Sequence, residues 1–277
     1  MSEHQHIIID EPRAGVSRIT LNRPDARNAL NNVLRGEIYA TLEANDNNPE
    51  IKVTIIRGAG KAFCAGYDLK GNNSKNQPFH TSGGDGNWAR HVVDGFFRVW
   101  DLAKPVIAQV HGYCLAGGTE LATSCDLVYV AEDAQIGYPV VRSMSPPDNQ
   151  FFPHLMGLRP AMEMMLTGDA ISGTEAANYG FANKAFPLDN LEDEVLKIAE
   201  RVAKVPTDIQ QMNKRAVHRQ MELVGVRAAI RSGTEIQALA FHTESTRGHF
   251  KELAAGLTDA LSKRDGNFGD YRTKEDH

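Results

Sequence analysis

Short runs rich in β-branched residues alternate with amphipathic helical segments along the first half of this 277-residue chain. Glycine-rich turns separate several of them, as at 58–60 and 116–118. Such alternation is typical of sheets whose faces are covered by helices, and it predicts an α/β fold. The predicted strands are 6–10, 16–21, 53–57, 105–111 and 126–130, and the predicted helices are 28–45, 88–102 and 118–124.

The pattern changes after Pro153, where apolar residues recur mainly at helical spacing. We divide the chain into two parts on this basis. Residues 1–205 form the α/β core, and residues 206–277 form a C-terminal helical region that ends in a polar tail. The helices predicted after Pro153 are 161–166, 173–179, 191–205, 208–223 and 226–241.

Charge and composition exclude several classes of function. The chain has 30 Lys and Arg against 35 Asp and Glu, so no basic excess indicates a nucleic-acid partner. Three scattered cysteines, Cys64, Cys114 and Cys125, favour neither a disulfide framework nor a metal site. The N-terminus lacks a secretory pattern and no apolar run reaches about 18 residues, so we expect a cytoplasmic protein without a membrane partner.

Two glycine-rich segments, 58–69 and 111–120, lie where a strand meets the following element. The first turn of a helix leaves backbone N–H groups unpaired, and glycine lets a ligand approach the backbone closely. Two such turns brought together would direct two N–H groups at one oxygen, which is the design of an oxyanion hole. The alternative is that these glycines only permit tight turns.

Four motifs in register give the chain a family resemblance. They are Asn22-Arg23-Pro24, the Ala-Gly-x-Asp-Leu turn at 65–69, the Ala-Gly-Gly-x-Glu-Leu turn at 116–121, and Leu166-Thr167-Gly168. Together they resemble the crotonase (enoyl-CoA hydratase/isomerase) superfamily over residues 6–205, and more weakly to residue 268. The resemblance implies a core of repeated ββα units with a C-terminal helical region that mediates assembly into a homotrimer or hexamer.

The resemblance also implies an activity. Members bind acyl-CoA thioesters and stabilise an enolate on the thioester oxygen, and many act in fatty acid metabolism. By position, the backbone N–H groups of Tyr67 and Gly117 are the oxyanion donors. The positions implied to bind the CoA thioester are Ala65, Gly66, Asp68, Gly118, Tyr138 and Lys263, together with Phe241 and Arg264 near the C-terminus. CoA belongs to the substrate, and neither a separate cofactor nor a metal is implied.

The acid–base residues depart from the pattern of the family's hydratases, which use two glutamates. Glu120 corresponds to the first, but Val140 stands where the second is expected. Asp148 is the candidate for a relocated second carboxylate, although an aspartate in Pro-Pro-Asp-Asn also suits a turn that caps a helix. Glu120 has an alternative too, as a first-turn glutamate favoured by the helix dipole. Tyr138 either donates a hydrogen bond in the pocket or only packs there.

Three hypotheses about the function follow from these residues. The first is an acyl-CoA enzyme of the hydratase/isomerase type with Glu120 as general acid and base. The second is an isomerase or a C–C bond hydrolase or lyase that uses Asp148. The third, which Val140 favours, is a non-catalytic acyl-CoA-binding relative.

Overall fold

The computed structural model describes residues 4–70, 75–148 and 150–269. The larger of its two sheets has the strand order β1-β2-β3-β5-β7-β10, in which β1 and β2 form an antiparallel hairpin and every other pair is parallel. The strands are β1 (Ile7–Arg13), β2 (Val16–Leu21), β3 (Val53–Gly58), β5 (Val106–Val110), β7 (Leu127–Ala131) and β10 (Lys184–Phe186).

A second sheet of short strands packs beside the first. It contains β4 (Ala62–Cys64), β6 (Tyr113–Leu115), β8 (Gln135–Gly137) and β9 (Ile171–Ser172) in that order. The first three strands run parallel to one another, and β9 is antiparallel to β8. The carboxyl ends of β4, β6 and β8 therefore meet along one edge of this sheet.

The chain builds both sheets through a repeated unit of two strands and a helix. The units are β1-β2-α1, β3-β4-α2 and β5-β6-α3, followed by β7 and β8, and from the second unit onward the first strand enters the large sheet and the second enters the small one. The helices are α1 (Asn32–Asn47), α2 (Asn87–Trp100) and α3 (Gly117–Ser124). This arrangement confirms the predicted α/β fold with a repeated ββα core.

The prediction for the start of the first helix is wrong by four residues. Arg27 and Asn28 both have positive φ, at 49° and 56°, and so cannot continue into a helix. The helix begins at Asn32, where the side chain of Asn31 accepts a hydrogen bond from the backbone N–H of Leu34. This is an ordinary asparagine N-cap.

The remaining described chain is mostly helical, as predicted. It comprises α4 (Phe152–Met156), α5 (Leu158–Thr167), α6 (Gly173–Tyr179), α7 (Leu188–Ala203), α8 (Thr207–Leu223), α9 (Val226–Ala240), α10 (Glu244–Ala255) and α11 (Leu257–Gly266). The periodicity did not predict α4, α10 or α11. Residues 270–277 of the predicted polar tail lie outside the described residues. Within the described chain, no helix is both long enough and apolar enough to cross a bilayer.

Two apolar clusters hold these elements together. The main core takes side chains from both sheets and from α1, α2, α3, α5 and α7. A smaller cluster joins α2 to α9 through Val93, Phe97, Val226 and Ile230. Thr246 on α10 donates a hydrogen bond of 2.7 Å to the carbonyl of Met144. These contacts place the C-terminal helices beside the carboxyl edge of the small sheet.

Candidate active site

A cavity of about 760 Å³ lies at the carboxyl edge of the small sheet. Residues that directly follow β4, β6 and β8 line it, namely Ala65, Ala116 and Tyr138, and Asp148 and Gln237 contribute from later in the chain. The opposite wall comes from α10 and α11. The three parallel strands of the small sheet thus explain why segments distant in sequence face one cavity.

The two glycine-rich turns are in direct contact. A Cβ atom placed on Gly66 would lie 2.9 Å from the Cβ of Ala116 and 3.4 Å from the backbone nitrogen of Gly117. A Cβ atom on Gly117 would lie 2.7 Å from the ring of Tyr67. Glycine is therefore required at both positions because larger residues would separate the turns.

The amides of Tyr67 and Gly117 are available for a ligand, since neither has an acceptor within the described part of the chain. Ala116 sets the orientation of the Gly117 amide. Its φ of 50° and ψ of −122° are rarely adopted by a residue with a side chain. Strained backbone of this kind is concentrated at functional sites, where the surrounding structure holds it in place.

The Asn-Arg-Pro motif and the residues that follow it hold the glycine-rich turn at 65–69 in position. Arg23 forms a 2.8 Å ion pair with Asp68, and the backbone N–H of Leu30 donates to the carbonyl of Gly66. The side chain of Asn28 donates to the carbonyls of Ala59 and Ala62, on either side of the turn that precedes β4. This motif therefore holds the turn in position without lining the reacting centre.

Glu120 lies in the first turn of α3 and is fully buried. Its carboxylate accepts hydrogen bonds from the phenol of Tyr67 at 2.7 Å, from the phenol of Tyr138 at 2.8 Å, and from the backbone N–H of Asp148 at 3.0 Å. If Glu120 were present only because the helix dipole favours a first-turn glutamate, these three donors would not be needed. The three bonds stabilise the ionised form of Glu120 and fix its orientation.

Both phenols remain protonated donors over a wide pH range. Burial raises the pKa of Tyr67 and of Tyr138 well above the usual value, and the negative charge of Glu120 raises both further. The sequence motifs pointed to the side chain of Tyr138 but only to the backbone of Tyr67. The side chain of Tyr67 was missed because its partner, Glu120, is distant in sequence.

Asp148 lines the cavity, only 4% of it is exposed, and its backbone N–H is bonded to Glu120. Burial raises the pKa of its carboxyl group well above the usual value, and the negative charge of Glu120 adds to the effect. Its Oδ1 atom has no hydrogen-bond partner among the described residues. Asp148 does not cap the next helix, because α4 begins after Phe151 and has no side-chain cap. The pair therefore favours one ionised and one protonated carboxyl group.

Trp88, which lines the cavity, and Arg35, which packs against it, both affect the carboxyl group of Asp148, and neither belongs to a predicted motif. The guanidinium of Arg35 lies 5.3 Å from the ring centroid of Trp88, and the ring of Trp88 packs edge-on against Tyr67 at 5.1 Å. The charge of Arg35 and a hydrogen bond from Trp88 both oppose the rise in the pKa of Asp148. In the sequence, Arg35 is distinguished only by its place next to Leu34, an apolar position of the predicted helix.

The other predicted site residues fall into two groups. Ala65, Asp68, Phe241 and Arg264 line the cavity, as does Val140. Gly118 is buried, and a Cβ atom there would lie 2.3 Å from the carbonyl oxygen of Cys64. Lys263 is exposed and pairs with Glu252 away from the cavity lining.

The cysteines carry no sign of reactivity. Burial raises the pKa of the Cys64 thiol to about 12 and raises those of Cys114 and Cys125 as well. They are packing residues, because a thiolate is the reactive form. In the part of the chain that the structure describes, no group of three or more His, Cys, Asp or Glu is arranged to hold a metal ion.

Comparisons with known proteins agree with this geometry. The sequence model of a family described as enoyl-CoA hydratase/isomerase matches residues 11–271. The mitochondrial enoyl-CoA hydratase of Pongo abelii is 33% identical over 262 residues, which cover 92% of this chain and 84% of that protein.

Solved structures give the same result. An enoyl-CoA hydratase from Mycobacterium smegmatis superposes with a TM-score of 0.88 at 29% identity, covering 97% of this chain and 96% of that one. An enoyl-CoA hydratase/isomerase from Xanthobacter autotrophicus Py2 superposes with a TM-score of 0.87 at 33% identity, covering 96% and 99%.

The raised pKa of Asp148 predicts a specific dependence of stability on pH. The folded protein retains a proton that an unfolded aspartate releases near pH 4, so this group's contribution to stability is lost as pH rises above that value. Asp148→Asn removes the effect. We expect the free energy of unfolding of the variant, measured in urea, to increase relative to the original protein by up to about 1.4 kcal/mol per pH unit between pH 5 and 8. A difference that stays constant with pH would contradict the assignment.

Proposed function

The chain belongs to the enoyl-CoA hydratase/isomerase family of enzymes, and we propose that it adds water to the double bond of a 2-enoyl-CoA with Glu120 and Asp148 as its acid–base pair. The observation that carries the proposal is a buried pair of carboxyl groups at the cavity: Asp148 lines it, and Glu120 lies directly behind, bonded to the lining residues Tyr67, Tyr138 and Asp148. The unpaired amides of Tyr67 and Gly117 are close by. CoA enters as part of the substrate. The named activities of the relatives support the same reaction class.

The two amides provide the electrostatic part of the mechanism. The thioester oxygen lies between the N–H groups of Tyr67 and Gly117 and gains negative charge as the enolate forms. Fixed donors aimed at that charge lower the barrier, and one such donor typically contributes about 3–4 kcal/mol. Ala116 keeps the Gly117 amide oriented before substrate arrives, so no reorganisation is needed during the reaction.

The carboxyl pair provides the proton transfers. Glu120, held ionised by its three donors, takes a proton from water as the water oxygen forms a bond to C3. The electrons of the double bond move to the thioester to give the enolate, and protonated Asp148 then gives its proton to C2. Water has been added, and one proton has passed from the Asp148 side of the pair to the Glu120 side. Exchange with solvent restores the starting state.

Isomerisation is the second candidate, and two observations favour it. Phenols occupy both carboxylate oxygens of Glu120, and apolar Val140 lines the cavity where a hydratase would place its second glutamate. Both features reduce the room for a water that is held by carboxylates. Removal of a proton at one carbon and its return at another needs only the acid–base pair.

We also propose that the chain assembles as a homotrimer or hexamer. Large apolar side chains are exposed along α8 and α9, among them Met212, Val217, Ile236 and Leu239. Burying such side chains between subunits is favourable. Light scattering during size-exclusion chromatography measures the mass, and a monomer at micromolar concentration would contradict this assembly.

The first experiment incubates the protein with enoyl-CoA and 3-oxoacyl-CoA thioesters in D₂O and follows products by mass spectrometry. We expect net addition of water to a 2-enoyl-CoA. Deuterium incorporation into an enoyl-CoA without addition would establish the isomerase instead, and a shortened acyl product would establish C–C cleavage. Thioesters that bind but return unchanged and unlabelled would favour a non-catalytic acyl-CoA-binding protein.

Glu120→Gln and Asp148→Asn test the acid–base pair. Each should lower kcat by about 10²-fold or more, because each removes one proton transfer. The double variant should lose little more than the more damaging single variant, since groups that act as a unit are not additive. Asp193→Asn, at an exposed position on α7, is the matched control and should leave kcat unchanged. Independent, multiplicative losses would contradict a shared role.

A further inference from the structure

Gln237 is a buried amide that the proposed chemistry does not use. It lies on α9, lines the cavity, and is only 2% exposed. Its Oε1 atom has no hydrogen-bond partner among the described residues. Glutamine is seldom this deeply buried, and an unpaired buried carbonyl lowers stability. The fold therefore offers no explanation for an amide at this position.

The helix that carries Gln237 is fixed against the Asp148 segment. Thr234, one turn earlier on the same face, donates to the carbonyl of Ile230 and lies 3.5 Å from the carbonyl of Asp148. Phe241, one turn later, also lines the cavity. Along α9, Gln237 thus lies between Thr234, which contacts the Asp148 segment, and Phe241, which is apolar.

The amide of Gln237 is a polar group beside several apolar side chains of the cavity lining. Leu69, Met144, Phe250 and Leu253 present hydrocarbon to the same cavity. A purely hydrocarbon acyl group would leave the Gln237 oxygen unpaired after binding. A hydroxyl group on the acyl chain would donate a hydrogen bond to that oxygen.

We propose that Gln237 is a specificity-determining residue that binds a hydroxyl substituent on the acyl group of the substrate, at a position beyond the two carbons that react. The inference rests on the proposed function, because it places an acyl group in this cavity. It narrows the substrate class from acyl-CoA thioesters in general to those with a hydroxylated acyl group.

The experiment measures binding by calorimetry, so it does not depend on turnover. The ligands are saturated thioester pairs that differ only in one hydroxyl: 3-phenylpropanoyl-CoA with its 3- and 4-hydroxyphenyl analogues, and hexanoyl-CoA with 6-hydroxyhexanoyl-CoA. For at least one pair, we expect the hydroxylated member to bind about tenfold more tightly, which is the usual contribution of satisfying a buried polar group. Gln237→Leu should abolish this preference while retaining affinity for the unsubstituted member.

Gln210→Leu is the matched control. Gln210 is also buried with an unpaired Oε1 atom, but it lies on α8 outside the cavity lining. This variant should keep the full preference, and thermal melting checks that both variants fold. Equal binding within every pair, or a preference that survives Gln237→Leu, would overturn the inference. Failure of every thioester to bind would contradict the proposed function and this inference together, whereas absent turnover with intact preference would contradict only the proposed reaction.

Discussion

The rest of the site depends on the hydrogen bonds that the protein donates to the buried carboxylate of Glu120. An ionised group without access to water is tolerated only if the protein supplies its hydrogen bonds. Here the donors come from three places: the turn after β4, the residue after β8, and the backbone of the Asp148 segment. Correct packing of the strands of the small sheet and ionisation of Glu120 are therefore coupled. If one donor is lost, a buried negative charge is left with too few hydrogen bonds.

The same burial determines the state of Asp148. Two carboxyl groups enclosed together do not both ionise readily, and the group with fewer donors retains the proton. Glu120 accepts hydrogen bonds from Tyr67, Tyr138 and the Asp148 backbone, whereas Oδ1 of Asp148 has no partner among the described residues. A glutamate at position 140 would add another carboxyl group to a lining that already contains Asp148. The apolar Val140 is thus consistent with a site in which Asp148 is already the second carboxyl group.

The sequence predicted the long elements better than the short ones. Helices such as α7 and α8 have enough turns for apolar periodicity to be recognised, and β2 is a six-residue run in which three residues are β-branched. In contrast, β4, β6 and β8 have three residues each, too few for any period to show. The glycine-rich motifs marked where these strands end, but the strands themselves, which bring the motifs together, were not predicted.

The sequence alone determined the fold class, the family resemblance, the two glycine-rich turns and the presence of Glu120 without a glutamate at position 140. Each of these is encoded in neighbouring residues or in a motif of fixed spacing. Only the tertiary structure decided that Asp148 lies beside Glu120 and that the phenol of Tyr67 donates to Glu120. It also decided that Trp88 and Gln237 line the same cavity and that Arg35 packs against Trp88. These residues come from separate helices and loops, and their proximity follows from strand order and helix packing, which no local pattern specifies.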